Sequence, residues 1–351
     1  MPHPHSSNSP NEPLSVHRDT IASDLHPVRL PGDELAHSDQ MEWWYFVAHV
    51  EALEIGRRAS LMLSVIRSYV MAGNVAVVMA KVTDHTTGAF ALSESGQLFD
   101  SIYTERSSPV KFALEYTTPF MNDLVGMPGS WRIQGRPGRY QVQVRSFEMT
   151  AAPLDLDLSF KGTGPAQLLS HDGIVHYGDD HELAYYVRPK MAVSGTMRFD
   201  GKPVAVKGQG WFERQWGAWP QKTFGWKYLN IHLDGGEQWL LFTTVFGEHR
   251  KEYAARFPAT GGIQEPPPSS WEMTDFSLAG RPCGSMIRVD SDVSDGGPLE
   301  LRVEPLFPDE GNLVSQYPGV PTIWESACKV EGTRAGKRVT GWAMTEMNNY
   351  V

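Results

Sequence analysis

Short runs of β-forming residues, separated by Gly, Pro, Asp and Asn, follow one another along almost the whole chain. In the clearest run, Tyr140, Val142 and Val144 alternate with the polar residues Gln141 and Gln143. This period of two is typical of a strand with one buried face and one solvent-facing side. No segment shows a long apolar stripe with helical spacing, and turn formers are abundant, with 33 glycines and 25 prolines. The sequence therefore predicts an all-β, antiparallel fold with little helix.

An internal repeat indicates that this β-structure is duplicated. Residues 43–50 and 226–233 share the pattern W-x-Y-φ-x-φ-H-φ, in which φ is an apolar residue. A second match pairs residues 193–213 with residues 330–346, and each of these segments contains a Gly-Lys dipeptide, a later glycine and a closing glutamate. Because the two matches occur in the same order, each copy opens with the first motif and closes with the second. Such self-similarity is the signature of a repeated structural unit.

The repeat divides the chain into two β-units, of about residues 35–220 and 221–351. An antiparallel sheet must close on itself or be covered, because an open edge exposes unpaired backbone groups. We therefore expect two tandem β-barrels or β-sandwiches. Residues 1–25 are rich in His, Pro, Ser and Asn and lack apolar periodicity. Such a segment cannot bury enough apolar surface to offset the entropy of ordering, so we expect a disordered tail.

The charge balance and the hydropathy pattern restrict the kinds of molecule and membrane with which the chain is expected to interact. With 31 basic and 41 acidic residues, the formal net charge is −10, and the chain lacks the positive field that holds nucleic acid. No window approaches eighteen consecutive apolar residues, and the first forty residues contain no apolar stretch of signal-peptide length. We therefore expect no nucleic-acid partner, no integral membrane segment and a cytoplasmic protein.

The usual signatures of metal and cofactor sites are missing from the sequence. It contains no GxSxG, Walker or HExxH motif and no GxGxxG that opens a helix. The two cysteines, Cys283 and Cys328, form no CxxC or Cys/His cluster, and the histidines lack the spacing of metal ligands. We expect no metal, no nucleotide and no other cofactor.

Two glutamates lie in segments that are unusually rich in aromatic residues. Glu42 precedes the run Trp-Trp-Tyr-Phe, and Glu213 lies within Trp-Phe-Glu-Arg-Gln-Trp. On a strand, Glu42 shares a face with Trp44 and Phe46, whereas Glu213 shares a face with Trp211. An aromatic wall disfavours an ionised carboxylate and raises its pKa, so that the acid stays protonated near neutral pH. The sequence therefore predicts a general acid at each position.

A structural interpretation of the same residues stays open. Arg214 directly follows Glu213, and Arg67 and Lys81 lie on runs expected to neighbour Glu42. Either acid can therefore be half of a structural ion pair. The tryptophans around both acids can likewise be ordinary core residues. Six of the eleven tryptophans nevertheless lie in two short stretches around these acids, which favours a functional aromatic pocket.

Six segments give the chain a resemblance to a known family over nearly its whole length. They are HSDQMEWWYFVAHV, AYYVRPKMAVSG, GQGWFERQWG, GWKYLNIHLDGG, IWESACKVEG and GWAMTEM, at residues 37–50, 184–195, 208–217, 225–236, 323–332 and 341–347. In these segments the sequence resembles the AttH and carotenoid 1,2-hydratase (hydroxyneurosporene synthase) family. The [DE]-R-x-W-G part of the third segment is the most specific. The resemblance implies two tandem lipocalin-like β-domains.

The resemblance also implies roles for individual residues. In the hydratases, a carboxylate two residues after an aromatic residue is the proposed proton donor to an isoprenoid double bond, and Glu213 after Trp211 matches it. The hydratase pattern has Asp and Tyr there, and its upstream His and Trp fall on Tyr185 and Val187 in this chain. The same fold resembles the pericyclases that form decalin rings without a cofactor. A first-strand glutamate is implicated in some of them, and Glu42 is its counterpart.

Together these observations predict a cofactor-independent cyclase of the pericyclase type. Its expected substrate is a hydrophobic polyene, polyketide or isoprenoid of natural-product biosynthesis, held between the two β-domains, where orientation and a hydrogen bond from a protonated acid supply catalysis. The alternatives are a hydratase or isomerase that protonates an alkene, and a lipocalin-like carrier, which needs no buried acid. The predicted catalytic residues are Glu213 and Glu42, and the predicted substrate-binding residues are Trp44, Phe46, Arg67, Tyr69, Tyr186, Trp211, Trp216 and Trp226.

Overall fold

The computed structural model describes most of the chain, with several gaps. The described residues are 25–38, 41–70, 73–117, 130–145, 154–177, 182–218, 224–246, 248–290, 292–293, 296–308, 312–313 and 323–350. The tail predicted at residues 1–25 lies outside them except for its last residue. Strands dominate these ranges, in which the one α-helix is Phe99–Ile102 and 3-10 turns occupy Gly32–Glu34 and Pro268–Ser270. None of these helices is long and apolar enough to cross a lipid bilayer.

The first sheet contains thirteen strands, all paired antiparallel. They are β1 (Met41–Ala52), β2 (Arg57–Val70), β3 (Gly73–Asp84), β4 (Phe90–Leu98), β5 (Tyr103–Ser107), β6 (Val110–Thr117), β7 (Ser130–Arg136), β8 (Arg139–Arg145), β9 (Asp155–Gly162), β10 (Gln167–Leu168), β11 (Ile174–His176), β12 (Glu182–Phe199) and β13 (Lys202–Gly217). Their order is β4-β3-β2-β1-β13-β12-β9-β8-β7-β6-β5, with β10 and β11 beside β12. The first and last strands are therefore neighbours in the middle of the sheet.

The second sheet contains nine strands and repeats this plan. They are β14 (Phe224–Leu233), β15 (Gln238–Phe246), β16 (His249–Phe257), β17 (Trp271–Leu278), β18 (Arg281–Val289), β19 (Leu299–Pro305), β20 (Asn312–Leu313), β21 (Ile323–Arg334) and β22 (Lys337–Asn348). Their order is β16-β15-β14-β22-β21-β19-β18-β17, with β20 beside β21. Here too the first strand, β14, pairs with the last, β22.

The two strand orders correspond strand by strand, which supports the duplication inferred from the sequence. The run β3-β2-β1-β13-β12-β9-β8-β7 of the first sheet matches β16-β15-β14-β22-β21-β19-β18-β17 of the second. The register agrees as well, because Tyr45 lies opposite Glu213 in the first sheet and Tyr228 lies opposite Glu346 in the second. Both sheets curl into half-barrels, so the predicted all-β class with two tandem units is confirmed. The boundary predicted at residue 220 falls in a segment outside the described residues.

The three largest buried apolar clusters of the described residues follow from the alternation of residues along the strands. In β8, Tyr140, Val142 and Val144 are buried while their neighbours are more exposed, as the sequence predicts. They belong to the core of the first half-barrel, and a second core fills the other half-barrel around Trp239. A third cluster draws on both sheets and includes Tyr228 of the second. The faces that meet in this third cluster form the interface between the half-barrels.

Candidate active site

The central strand β13 places its alternate side chains on two sides of the first sheet. Because β13 lies between β1 and β12, both of its edges are paired, and its alternate side chains point to opposite faces of the sheet. Glu213 faces the interface, where it meets Tyr228 of the second sheet, whereas Arg214 points into the first half-barrel and meets Glu42. The sequence prediction placed Glu42 and Glu213 in one pocket. The structure separates them, with one acid on each side of the sheet.

Glu42 is fully buried in the first half-barrel, within an ion-pair network. Arg214 donates a hydrogen bond to its Oε1, Arg67 Nη1 lies 3.3 Å from its Oε2, and His37 Nδ1 lies 2.8 Å from Oε1. Burial favours the neutral acid, but the charge of Arg214 and the hydrogen bond with His37 outweigh it and lower the pKa of Glu42 below its ordinary value. The raised pKa expected at this position is thus wrong. The ion-pair interpretation fits Glu42, with Arg214 as a partner that the sequence reading had assigned to Glu213.

Four predicted substrate-binding residues lie in the same half-barrel as Glu42. They are Trp44, Phe46, Tyr186 and Trp216, and all four are buried in its core. Phe46 packs on Phe212 with ring centroids 4.7 Å apart, and the Arg214 guanidinium lies 4.0 Å from the centre of the Trp44 ring. The sheet therefore stands between these four side chains and Glu213. These four side chains are therefore better explained as core residues than as walls of a pocket that also contains Glu213.

Two further predicted residues lie on strand β2. Arg67 is buried and, besides contacting Glu42, donates from Nε to Asn74 Oδ1 over 2.8 Å. It is therefore a member of the Glu42 network. The side chain of Tyr69 lies outside the described part of the structure, so its predicted role stays a prediction.

Glu213 occupies the kind of environment that the sequence predicted. It is 5% exposed, and its Oε2 accepts hydrogen bonds from Trp211 Nε1 at 2.7 Å and from the hydroxyls of Tyr185 and Tyr228, each at 2.9 Å. Burial raises the pKa of Glu213 to about 7, although these hydrogen bonds favour the ionised form and limit the rise. No cation contacts the carboxyl group within the described residues. The neighbouring Arg214 cannot pair with it, because adjacent residues of a strand face opposite sides.

Two more carboxyl groups, of the half-buried Glu346 and the fully buried Glu325, lie at the same interface. Trp226, a predicted substrate-binding residue, donates from Nε1 to Glu346 Oε1 over 2.5 Å, and the Tyr45 hydroxyl donates to Glu325. Burial raises the pKa of Glu346 to about 7 and that of Glu325 well above its ordinary value, and nearby carboxylates, including Glu213, add to both shifts. Sequence reasoning did not select either residue. The repeat did carry a signal for Glu346, since it aligns with Glu213.

The tyrosines and histidines of the repeated motif meet across this interface. Tyr45 and Tyr228 pack edge to face with ring centroids 5.9 Å apart, and the rings of His49 and His232 are 5.1 Å apart. Each tyrosine donates its hydrogen bond to a glutamate of the other sheet, Tyr228 to Glu213 and Tyr45 to Glu325. The repeat therefore marks the contact surface between the two half-barrels.

The three glutamates can hold and transfer protons. Interacting acids titrate as a group, because ionisation of one raises the pKa of the next. Burial and adjacent carboxylates raise the pKa of Tyr45, Tyr185 and Tyr228 far above the ordinary value, so these hydroxyls stay protonated and act as donors. Glu346 is only half-buried, so the group lies within reach of the surface. Such an arrangement can donate a hydrogen bond or a proton to a substrate and take a proton back.

The described residues contain no group of three or more His, Cys, Asp or Glu side chains that could hold a metal ion. A cavity of about 390 Å³ lies farther along the interface, beside His49 and His232, and a cavity of about 790 Å³ lies on strands β5–β9. Neither is lined by the three glutamates. The three glutamates are therefore a candidate site because of their chemistry and not because they line a large cavity.

A family model described as AttH-like matches residues 22–350. The chain belongs to the AttH-like family. This membership confirms the resemblance found in the sequence and covers both half-barrels. A comparison with curated protein sequences gives no match.

Solved structures with the same fold include one whose name states an activity, a hydratase. An AttH protein of Nitrosomonas europaea superposes with a TM-score of 0.69 at 19% identity, over 93% of this chain and 98% of that chain. Kievitone hydratase of Nectria haematococca gives 0.65 at 13% identity, over 92% of each chain. The protein CghA gives 0.54 at 12% identity, over 88% of this chain and 87% of that chain. At these identities the similarity shows the AttH-like fold alone.

Proposed function

We propose that this AttH-like protein is a cofactor-independent enzyme that binds a hydrophobic polyene, polyketide or isoprenoid at the interface of its half-barrels. The observation that carries the proposal is the Glu213 carboxyl group, which is buried among ring donors and has a pKa of about 7. A carrier of apolar ligands has no use for such an acid, whereas acid–base catalysis requires it. The fold shared with a hydratase is consistent with an enzyme.

The reaction that we propose is a cyclisation of the pericyclase type. The apolar side chains of the interface fold a flexible polyene into a reactive conformation, which lowers the entropic part of the barrier. Protonated Glu213 donates a hydrogen bond to a carbonyl of the substrate, where charge builds up in the transition state. Tyr185 and Tyr228 hold the carboxyl group in position through their 2.9 Å hydrogen bonds.

Glu346 favours a second candidate function, hydration or isomerisation of an alkene. With a pKa of about 7, it supplies a second group that can accept a proton while Glu213 donates one. Protonation of an alkene leaves a carbocation, which the faces of nearby aromatic rings stabilise. In both candidate functions Glu42 acts indirectly, because its carboxylate neutralises the charge of Arg214 on the face of the sheet opposite Glu213.

In the experiment, the full-length protein is incubated with two probes, a linear polyene with an acyl end and an acyclic carotenoid, and the masses of the products are compared with those of the probes. Cyclisation or isomerisation leaves the mass of the probe unchanged, whereas hydration adds one water. Glu213→Gln is expected to lower turnover by about 10²- to 10⁴-fold, the usual contribution of an acid–base group. The exposed Glu272→Gln serves as the matched control. A stable Glu213→Gln protein with full turnover would exclude Glu213 from the mechanism.

A further inference from the structure

Five cationic side chains form a row across strands β5–β9, on the face opposite the core of the first half-barrel. They are Arg106, Lys111, Arg136, Arg139 and Lys161. The register places Arg106 opposite Lys111, Arg136 opposite Arg139, and Arg139 opposite Lys161. Phe112 pairs with Gly135, so the adjacent Lys111 and Arg136 also lie side by side. Each strand therefore contributes one cation at the same level of the sheet.

This row is electrostatically unfavourable on its own. Like charges at directly opposite positions of neighbouring strands repel each other. None of the five cations has an acidic partner within salt-bridge distance in the part of the chain that the structure describes. Cations elsewhere on the same strands are paired, as Arg132 with Glu115 at 2.6 Å and Arg145 with Asp155. In a chain with a net charge of −10, such a concentration of unpaired positive charge is exceptional.

The row also lines a cavity of about 790 Å³. Neutral polar side chains, among them Gln134, Gln141 and Ser159, line the cavity between the cations, and the acids on its walls are Glu105 and Glu115. Glu115 is already bound by Arg132. A cavity of this size falls in the range of small-molecule sites, roughly 300–1,000 Å³. Its charge therefore selects an anionic ligand of small-molecule size.

We propose that this groove binds a small organic ligand that carries two or more phosphate groups. Neighbouring strands are spaced by about 4.8 Å, so five cations extend over roughly 19 Å and exceed what one isolated anion can contact. The planar forks of the three arginines suit phosphate oxygens, which they bind in pairs. The row lies on strands β5–β9, whereas Glu213 lies on β13, so the two sites use different strands of the first sheet.

The test uses calorimetric titration of the full-length protein with inorganic tripolyphosphate and with pyrophosphate, at constant ionic strength. We expect saturable binding, and at least tenfold weaker binding by the double variant Arg136→Gln/Arg139→Gln. The matched control is Arg132→Gln, which removes a cation of the same cavity that already has an acidic partner, and it is expected to change the affinity less than threefold. Absence of saturable binding, or equal losses in both variants, would overturn the proposal.

Thermal unfolding of the same proteins gives a second readout. Without ligand, the double variant is expected to melt at the same temperature as the wild type or higher, because repulsion within the row is relieved. Tripolyphosphate is expected to raise the melting temperature of the wild type but not that of the double variant. A double variant that melts well below the wild type would mean that the row stabilises the fold, which contradicts a ligand site. Tighter binding to single-stranded nucleic acid or to vesicles of anionic lipid than to tripolyphosphate would also overturn the assignment of a small ligand.

Discussion

The buried glutamates show how the partner, more than burial, decides what a carboxyl group does. Glu42 and Glu213 are both removed from water. Glu42 meets the guanidinium of Arg214, which lowers its pKa, whereas Glu213 meets neutral indole and phenol donors, and burial prevails. The aromatic composition around both acids is visible in the sequence. The contact between the Arg214 guanidinium on β13 and Glu42 on β1 cannot be seen in the sequence, because it depends on which strands pair.

Glu42→Gln is expected to lower the free energy of unfolding by about 3–5 kcal/mol, since it leaves Arg214 buried without its anion. Glu213→Gln is expected to leave stability unchanged or to raise it, because it replaces a carboxyl group that burial penalises when it ionises. Urea unfolding of both variants and of the wild type at neutral pH measures the difference. A Glu42→Gln protein as stable as the wild type would contradict the ion-pair network.

The pH dependence of stability is expected to report on Glu213. Its pKa in the folded protein, about 7, exceeds the value of 4.5 for an ordinary glutamate. Between these values the folded state binds more protons than the unfolded state, so Glu213 stabilises less as the pH rises. The stability of Glu213→Gln relative to the wild type should therefore rise by on the order of 2 kcal/mol between about pH 5 and about pH 8. A constant difference across this range would show that Glu213 titrates normally.

At the scale of the strands, two glycines of the repeat are required by close approach of neighbouring backbones. A Cβ atom on Gly208 would lie 2.0 Å from the carbonyl oxygen of His49, and one on Gly341 would lie 2.2 Å from that of His232. Both glycines belong to the last strand of a sheet and face the first strand of that sheet. The sequence shows these glycines as matched positions of the repeat, but the reason for them appears only with the strand pairing.

Gly208→Ala and Gly341→Ala are each expected to destabilise the protein by about 1–3 kcal/mol or more, because backbone atoms cannot move aside as a side chain can. Gly164→Ala is the control, since a Cβ there meets no atom within 4 Å. Melting temperatures of the three variants measure the effect. If Gly208→Ala and Gly341→Ala melted like the control, the close approach of the first and last strands would be wrong.

At the scale of the whole molecule, the two half-barrels share buried hydrogen bonds across their interface, unlike two domains that are each complete without the other. The duplication and the alternation of side chains along the strands could be predicted from the sequence, because they follow from the repeat and from local patterns. The sequence could not show that buried acids and their donors come from different sheets. Tyr228 donates to Glu213, Tyr45 donates to Glu325, and Lys81 Nζ donates to the Glu325 carbonyl oxygen over 2.9 Å. Separation of the half-barrels would break these three hydrogen bonds.

We therefore expect the two half-barrels to unfold together. The cluster at the interface buries apolar side chains from both sheets. If one half-barrel unfolded, the other would expose these side chains to water and would lose its hydrogen bonds across the interface. Differential scanning calorimetry of the full chain should show one transition whose van't Hoff and calorimetric enthalpies agree. Tyr228→Phe, which removes a donor to Glu213, should lower the melting temperature while the transition stays single. Two resolved transitions in the wild type would mean that each half-barrel is stable without the interface.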